Sequence, residues 1–167
     1  AATARRDLLW LKNHIPADAR ATVEDVTAAY AVLGVMGPNS RALLSTLTTA
    51  DLTNATCPFG TSKIIDIGYA RVRANRISYM GELGWELHVS RKHAVAVYDA
   101  LMAAGQPLGL VLAGYRAIES LRLEKGYRDY GHDIDNTDSV LEAGLGFAVA
   151  LDKPGGFLGR EAVLAKK

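Results

Sequence analysis

The feature that most constrains the fold of this chain is the alternation of residues between Ser62 and Tyr79. In its central part, three apolar residues alternate with three polar ones: Ala70, Val72 and Ala74 with Arg71, Arg73 and Asn75. A period of two is typical of a strand with one buried face. The whole segment, in which β-branched residues dominate, therefore predicts either a hairpin or one long bent strand.

Further short strands are indicated on both sides of this segment. Ala21 to Met36 contains two stretches rich in β-branched residues and predicts two strands, which end at Gly37-Pro38. Trp85 to Val89 predicts another strand, and the apolar run from Leu145 to Leu151 predicts a buried one.

Helices are expected between these strands. The N-terminal residues up to Pro16 are amphipathic, and Pro38 suits the first turn of a second helix. Ser90 is a good cap for a third helix, and a fourth is expected from Leu112 to Lys125. Several strands follow one another directly, without the regular spacing of a doubly wound sheet. The predicted class is therefore α+β, with helices packed on a mainly antiparallel sheet.

Composition excludes several classes of function. The chain has 167 residues and a formal net charge of +1, with its basic residues scattered, so neither nucleic acid nor a membrane is an expected partner. Cys57 is the single cysteine and cannot form an internal disulfide, so a cytoplasmic location is the default expectation. The four histidines lack the spacing of a zinc motif, and no metal site is expected.

The stretch Tyr79–Leu87 carries the most chemical information. Its two glycines, three apart, allow a tight turn and a close approach of the backbone to a ligand or to another element. Glu86 follows at the start of a strand, where its carboxylate could accept two parallel hydrogen bonds from a 2-amino-4-oxo heterocycle. Tyr79 and Trp85 could form an aromatic wall. The alternative is that Glu86 belongs to a structural ion pair and the aromatic residues to the core.

A second stretch, Gly114–Tyr127, contains two arginines of different character. Arg116 lies near a helix start, where the macrodipole disfavours a cation, so a partner such as Glu86 or a ligand carboxylate is expected. The alternative is an ordinary exposed arginine. Arg122 lies three positions beyond Glu119 and predicts a structural intrahelical pair. The acidic residues that follow, Asp133, Asp135 and Asp138, favour a solvated loop over a calcium site.

Four blocks of sequence occur in one order: Val35-Met36-Gly37-Pro38-Asn39, Tyr79-Met80-Gly81-Glu82-Leu83-Gly84-Trp85-Glu86, Tyr115 through Gly126, and Phe157-Leu158-Gly159-Arg160-Glu161-Ala162. The four blocks and their order resemble those of the folate-binding aminomethyltransferase family, which includes the T-protein of glycine cleavage. The chain is more closely similar to the folate domain fused to flavin-dependent dimethylglycine and sarcosine dehydrogenases. The resemblance extends from about Thr22 to Ala165.

The resemblance implies an α+β fold with ferredoxin-like halves and a central cavity for tetrahydrofolate. The pterin-contacting carboxylate of the family falls on Glu86, an accompanying tyrosine on Tyr79, and a ligand-contacting arginine on Arg116. All three are therefore expected to line one cavity and to bind this cofactor.

The departures from the family pattern shape the expected function. The family's catalytic aspartate lies further upstream of Tyr79 than this chain extends, so no catalytic residue is assigned. Residues 1–167 are expected to form a single folate-binding domain, a fragment of a longer protein and inactive alone. Its partners in that protein would be a flavin domain carrying FAD and a C-terminal barrel. A stand-alone T-protein and a non-catalytic scaffold of the same fold are the alternatives.

Overall fold

A computed structural model describes residues 3–166, which fall into two compact units. The first comprises the described residues up to Ser78 together with Glu82–Leu112, and the second comprises Tyr79–Gly81 together with the described residues from Ala113 onward. Two compact units can belong to one domain. The expectation that residues 1–167 form a single folate-binding domain therefore stays a prediction.

The first unit is built on a four-stranded sheet. Its strands are β1 (Tyr30–Met36), β2 (Ser62–Ile67), β3 (Ala70–Asn75) and β4 (Gly84–Ser90). They are arranged in the order β1-β4-β3-β2, and every neighbouring pair is antiparallel. The alternating segment therefore forms a hairpin, β2–β3, one of the two predicted arrangements.

Three helices belong to the first unit: α1 (Ala4–Asn13), α2 (Ser40–Leu47) and α3 (Ala94–Gly105). All three were predicted, and α2 begins two residues after Pro38. Ser90 does not cap α3 as expected, because a 3₁₀ turn at Arg91–His93 intervenes and the Ser90 side chain makes no capping hydrogen bond.

The core of the first unit lies between one face of the sheet and the helices α2 and α3. Strand alternation places Trp85, Leu87 and Val89 of β4 on this face, and all three are fully buried. The apolar residues of α2 and α3 cover them, with Leu44 and Val97 almost completely removed from solvent. The α+β class, with a mainly antiparallel sheet and packed helices, is confirmed.

The second unit contains α4 (Tyr115–Glu124), α5 (Arg160–Ala165) and a 3₁₀ turn at Gly146–Ala148, joined by turns. The predicted helix at 112–125 is confirmed with slightly shorter bounds. Nowhere in residues 3–166 does a helix combine the length and apolar character that a bilayer crossing requires.

Two of the predicted strands are wrong. The first part of 21–36 has no sheet partner, and the side chain of Asp25 instead accepts a hydrogen bond from the backbone N–H of Thr27 at 2.9 Å, which favours a turn. Residues 145–151 contain the 3₁₀ turn and no strand, and Phe147 is 88% exposed. Apolar composition alone does not make a strand when no neighbouring strand satisfies its backbone groups.

Candidate functional site

Glu86 lies on the face of the sheet opposite the helices. In β4 the buried Trp85 and Leu87 flank it and point to the core, so strand alternation turns Glu86 and His88 to the other face. Its register partners are Gly34 on β1 and Asn75 on β3. The Glu86 side chain is 33% exposed. The prediction that this carboxylate is carried at the start of a strand is confirmed.

The carboxylate of Glu86 is free to accept hydrogen bonds. Within 4 Å of the carboxylate, the described part of the first unit supplies one possible ion-pair partner, His88, whose Nε2 lies 3.8 Å from Glu86 Oε2, beyond hydrogen-bond distance. Gly34 leaves the β1 side of the carboxylate without a competing side chain. An ionised carboxylate in this setting can accept two parallel hydrogen bonds from a planar donor edge.

The second glycine of the Tyr79–Leu87 stretch is required by strand packing. A Cβ built on Gly84 would lie 2.2 Å from Met36 Sδ and 2.6 Å from the carbonyl oxygen of Val35. Gly81 has φ +72°, a left-handed conformation that glycine adopts without strain. The sequence allowed the backbone at these glycines to approach either a ligand or another element. At Gly84 the close approach is to another element, strand β1.

Trp85 is a core residue, so of the two alternatives left open by the sequence, an aromatic wall and the core, the second is confirmed for this side chain. The side chain is fully buried, and its indole N–H lies 3.5 Å from the sulfur of the buried Cys57. The guanidinium carbons of Arg41 and Arg76 lie 5.7 and 4.9 Å from the ring centroid. A ring enclosed by these groups has no face left for a ligand.

Tyr79, in the second unit, is held by two contacts. Its hydroxyl donates a 2.9 Å hydrogen bond to the carbonyl oxygen of Arg128, and its ring stacks on Tyr127 with centroids 6.0 Å apart. Burial raises the pKa of the Tyr79 hydroxyl above its ordinary value of 10.0, so it stays protonated at neutral pH. At 37% exposure, the ring still offers surface to a ligand.

Arg116 is the second residue of α4 and is exposed. Its guanidinium makes no hydrogen bond or ion pair with the described part of the second unit. The first turn of α4 contains no acidic residue, and the helix N-cap, Gly114, has no side chain. Neither therefore offers Arg116 an anionic partner. An unpaired arginine at this helix end suits a ligand carboxylate, which the helix dipole also favours.

Arg122 is structural, as predicted. It is 1% exposed and donates hydrogen bonds to the carboxylates of Glu119 and Asp133 and, at 2.8 Å, to the carbonyl oxygen of Tyr127. The guanidinium of Arg122 and the backbone N–H of Asp129 hold the pKa of Asp133 well below its usual range. The sequence indicated the Glu119 pair but assigned Asp133 to a solvated loop, since loop closure onto α4 leaves no periodic signal.

The three predicted site residues are divided between the two units. Glu86 belongs to the first, and Tyr79 and Arg116 belong to the second. Their convergence on one cavity stays a prediction. Sequence reasoning passed over His88, although its period of two from Glu86 already placed both on one face of a strand.

A cleft of about 660 Å³ lies in the second unit. It is formed by residues between Leu151 and Ala162, and neither Tyr79 nor Arg116 lines it. Two of its charged residues are already engaged, because Arg160 pairs with Glu161 and donates to the carbonyl oxygen of Leu151. The cleft is wide open, so it is a weaker candidate than the face that carries Glu86.

Comparisons with known proteins agree with the sequence resemblance. The sequence profile of the family described as "GCVT N-terminal domain" matches residues 1–153. The 4-methylaminobutanoate oxidase (formaldehyde-forming) of Paenarthrobacter nicotinovorans is 46% identical over 162 residues, which are 97% of this chain and 20% of that protein. Mitochondrial sarcosine dehydrogenase of Homo sapiens is 51% identical over 132 residues, 79% of this chain and 14% of that protein.

Aminomethyltransferase of Halothermothrix orenii is 40% identical over 167 residues, covering 100% of this chain and 45% of that protein. The chain thus spans less than half the length of each of these relatives. Among solved structures, a chain of heterotetrameric sarcosine oxidase from Corynebacterium sp. U-96, in complex with pyrrole 2-carboxylate, matches with a TM-score of 0.53 and 19% identity. The match covers 64% of this chain and 53% of that chain and shows a shared fold.

Proposed function

This chain belongs to the GCVT N-terminal domain family, and from that membership we propose that it is the tetrahydrofolate-binding part of a one-carbon transfer enzyme. The observation that carries the proposal is Glu86, a half-buried carboxylate on the sheet face that the helices leave open, for which the described residues of the first unit supply no hydrogen-bond donor. Water reaches a carboxylate that is 33% exposed, and a ligand with a planar donor edge can replace that water through two parallel hydrogen bonds.

The residues present suit tetrahydrofolate. Glu86 would accept hydrogen bonds from the amino group and ring N–H of the pterin, because these donors point in parallel as a carboxylate requires. Tyr79 would contact the ligand through its exposed ring surface. Arg116 would bind a carboxylate of the glutamate tail, for which its guanidinium has the matching geometry. When bound, tetrahydrofolate supplies the nitrogen atoms that accept the one-carbon unit.

The reaction of the longer protein to which this chain would belong is proposed from the relatives. Sarcosine dehydrogenase and dimethylglycine dehydrogenase of Homo sapiens are 51% and 40% identical to this chain over 132 and 158 residues. We place this chain in a protein of that type, in which a flavin domain with FAD oxidises an N-methyl amine. The folate domain, with the C-terminal barrel, would serve the capture of the one-carbon unit as 5,10-methylenetetrahydrofolate.

A second candidate function is that of an aminomethyltransferase. It is favoured by the relative from Halothermothrix orenii, which is 40% identical along the whole of this chain. The two functions share tetrahydrofolate and differ in the donor of the one-carbon unit, an oxidised N-methyl amine or an aminomethyl group on a carrier. Assaying the full-length protein with sarcosine or dimethylglycine, in the presence of FAD, against an aminomethyl carrier substrate distinguishes them. A cytoplasmic location also stays a prediction, which microscopy of a tagged protein would test.

Calorimetry with tetrahydrofolate tests the proposal. The protein is titrated beside Glu86→Ala and beside Glu24→Ala, which removes an exposed carboxylate elsewhere in the first unit. Losing a bidentate charge-assisted contact should cost about 2 kcal/mol or more of binding free energy. We expect the Glu24→Ala variant to bind like the parent. Absence of binding by the parent protein would favour the scaffold alternative, and equal affinity of Glu86→Ala would reject the pterin role of Glu86.

A further inference from the structure

His88 stands next to Glu86 on the open face of β4. They lie two positions apart in sequence, so strand alternation brings both side chains to one face, and His88 Nε2 lies 3.8 Å from Glu86 Oε2. The His88 side chain is 34% exposed, but its Nε2 atom is itself buried and has no hydrogen-bond partner in residues 3–166. A buried imidazole nitrogen without a partner is costly, and native proteins seldom leave one so.

The groups that face His88 leave Glu86 as its acceptor. Its register partner on β1 is Val32, which has no polar atom in its side chain, and its partner on β3 is Arg73, which can only donate. Arg73 is exposed and is the charged residue at this register position. Within 4 Å of His88 Nε2, the acidic group that the described part of the first unit supplies is the Glu86 carboxylate.

We propose that His88 is the positioning residue of Glu86: its Nε2–H donates to Oε2 and fixes the plane of the carboxylate for tetrahydrofolate. This inference rests on the proposed function of Glu86. A carboxylate has about four lone-pair sites, so it can accept this bond and still receive two from the ligand. The separation of 3.8 Å exceeds hydrogen-bond distance, so the proposal requires the two side chains to close this gap in the free protein, before the ligand binds.

Fixing the carboxylate in advance lowers the cost of binding. A glutamate side chain rotates about three bonds, and ordering it on association opposes binding. A donor on the same strand limits that freedom without adding a contact to the ligand. His88 should thus contribute to tetrahydrofolate affinity while Glu86 and the ligand keep their direct hydrogen bonds.

Two substitutions at His88 distinguish this role from simple packing. In His88→Gln the amide nitrogen falls near the place of Nε2, whereas in His88→Asn it falls near Nδ1. We expect His88→Asn to weaken tetrahydrofolate binding about tenfold and His88→Gln to stay within about threefold of the parent protein. Thermal unfolding of both variants accompanies the titrations. Equal affinity of both variants and the parent would overturn the inference, as would equal losses in both.

A second measurement needs no folate. The ¹⁵N chemical shifts of the His88 ring report which nitrogen carries a proton. We expect a protonated Nε2 in the parent protein and a changed Nε2 shift in Glu86→Gln. A bare Nε2 in the parent, or a shift unaffected by Glu86→Gln, contradicts the pairing. If the parent binds no tetrahydrofolate, the proposed function fails; if it binds and only the His88 results disagree, the inference alone fails.

Discussion

The buried guanidinium of Arg122 donates a hydrogen bond to the carboxylate of Asp133, which ties α4 to the loop that follows it. Asp133 also accepts a 2.9 Å hydrogen bond from the backbone N–H of Asp129, and His132 Nδ1 lies 3.1 Å from its other oxygen. Asp133 is thus stabilised in its charged form from three directions, and the loop depends on that charge.

Asp133→Asn should lower the free energy of unfolding at neutral pH. The stability of the variant should also fall less steeply in acid than that of the unsubstituted protein. The hydrogen bond from Arg122 is the largest cause that lowers the pKa of Asp133 below its ordinary value of 3.8. The stabilisation that the charged Asp133 gives to the folded protein is therefore fully present above pH 3.8. It is lost progressively as the pH falls below 3.8 toward the folded-state pKa. Urea unfolding at a series of pH values should therefore show the gap between parent and variant closing in acid.

The control for this measurement is Asp99→Asn, at an exposed carboxylate on α3. It removes one negative charge without removing a buried partner, so stability should change by less than about 0.5 kcal/mol. A gap between parent and Asp133→Asn that stays constant down to strong acid would contradict the role given to the charge.

Trp85→Phe should destabilise the first unit and leave ligand binding alone. The indole is fully buried, and the smaller ring loses packing and the contact of its N–H with Cys57. We expect a loss of about 2 kcal/mol in the free energy of unfolding. Tetrahydrofolate affinity should be unchanged in calorimetry. A loss of affinity in a variant that remains folded would instead show that Trp85 contributes to ligand binding.

Gly84→Ala should be costly because of strand β1. Its Cβ would meet the Val35 carbonyl oxygen at 2.6 Å, and a backbone atom cannot yield as a flexible side chain does. We expect about 2 kcal/mol of destabilisation, measured by urea unfolding. Gly34→Ala on β1 is the matched control, since its Cβ would lie 3.8 Å from Met36 Cε, an ordinary contact. Equal stability of both variants would show that the close approach at Gly84 has no energetic weight.

The parts of the fold that were predictable are those whose pattern repeats along the chain. Residues 70–75 alternate strictly, and they form β3. Residues 145–151 are as apolar as a buried strand, yet the backbone N–H of Ala148 bonds to the carbonyl of Leu145 within a local turn. A strand needs a neighbour as well as a composition, and nothing in the sequence states which segments will pair.

In the candidate site too, the residues with a distinctive sequence pattern were predictable and the contacts without one were not. The sequence indicated Glu86 and its place on a strand, because the surrounding Tyr79–Leu87 stretch is distinctive. It passed over the pairing of Arg122 with Asp133, because the two lie eleven positions apart, on a helix and on the loop after it, and loop closure has no periodic signal. It left Trp85 open between two places, since an aromatic residue beside a binding motif suits both a pocket wall and a core.

Arg116→Ala should separate ligand binding from stability. The side chain is exposed and has no partner among the described residues of the second unit, so its removal should change the free energy of unfolding by less than about 0.5 kcal/mol. If Arg116 binds a glutamate-tail carboxylate, tetrahydrofolate affinity should fall about tenfold or more in calorimetry. The loss should be smaller for a folate analogue that lacks the glutamate tail. Arg91→Ala, at another exposed arginine, is the control and should bind like the parent. Equal affinity of Arg116→Ala and Arg91→Ala would leave Arg116 an ordinary surface residue.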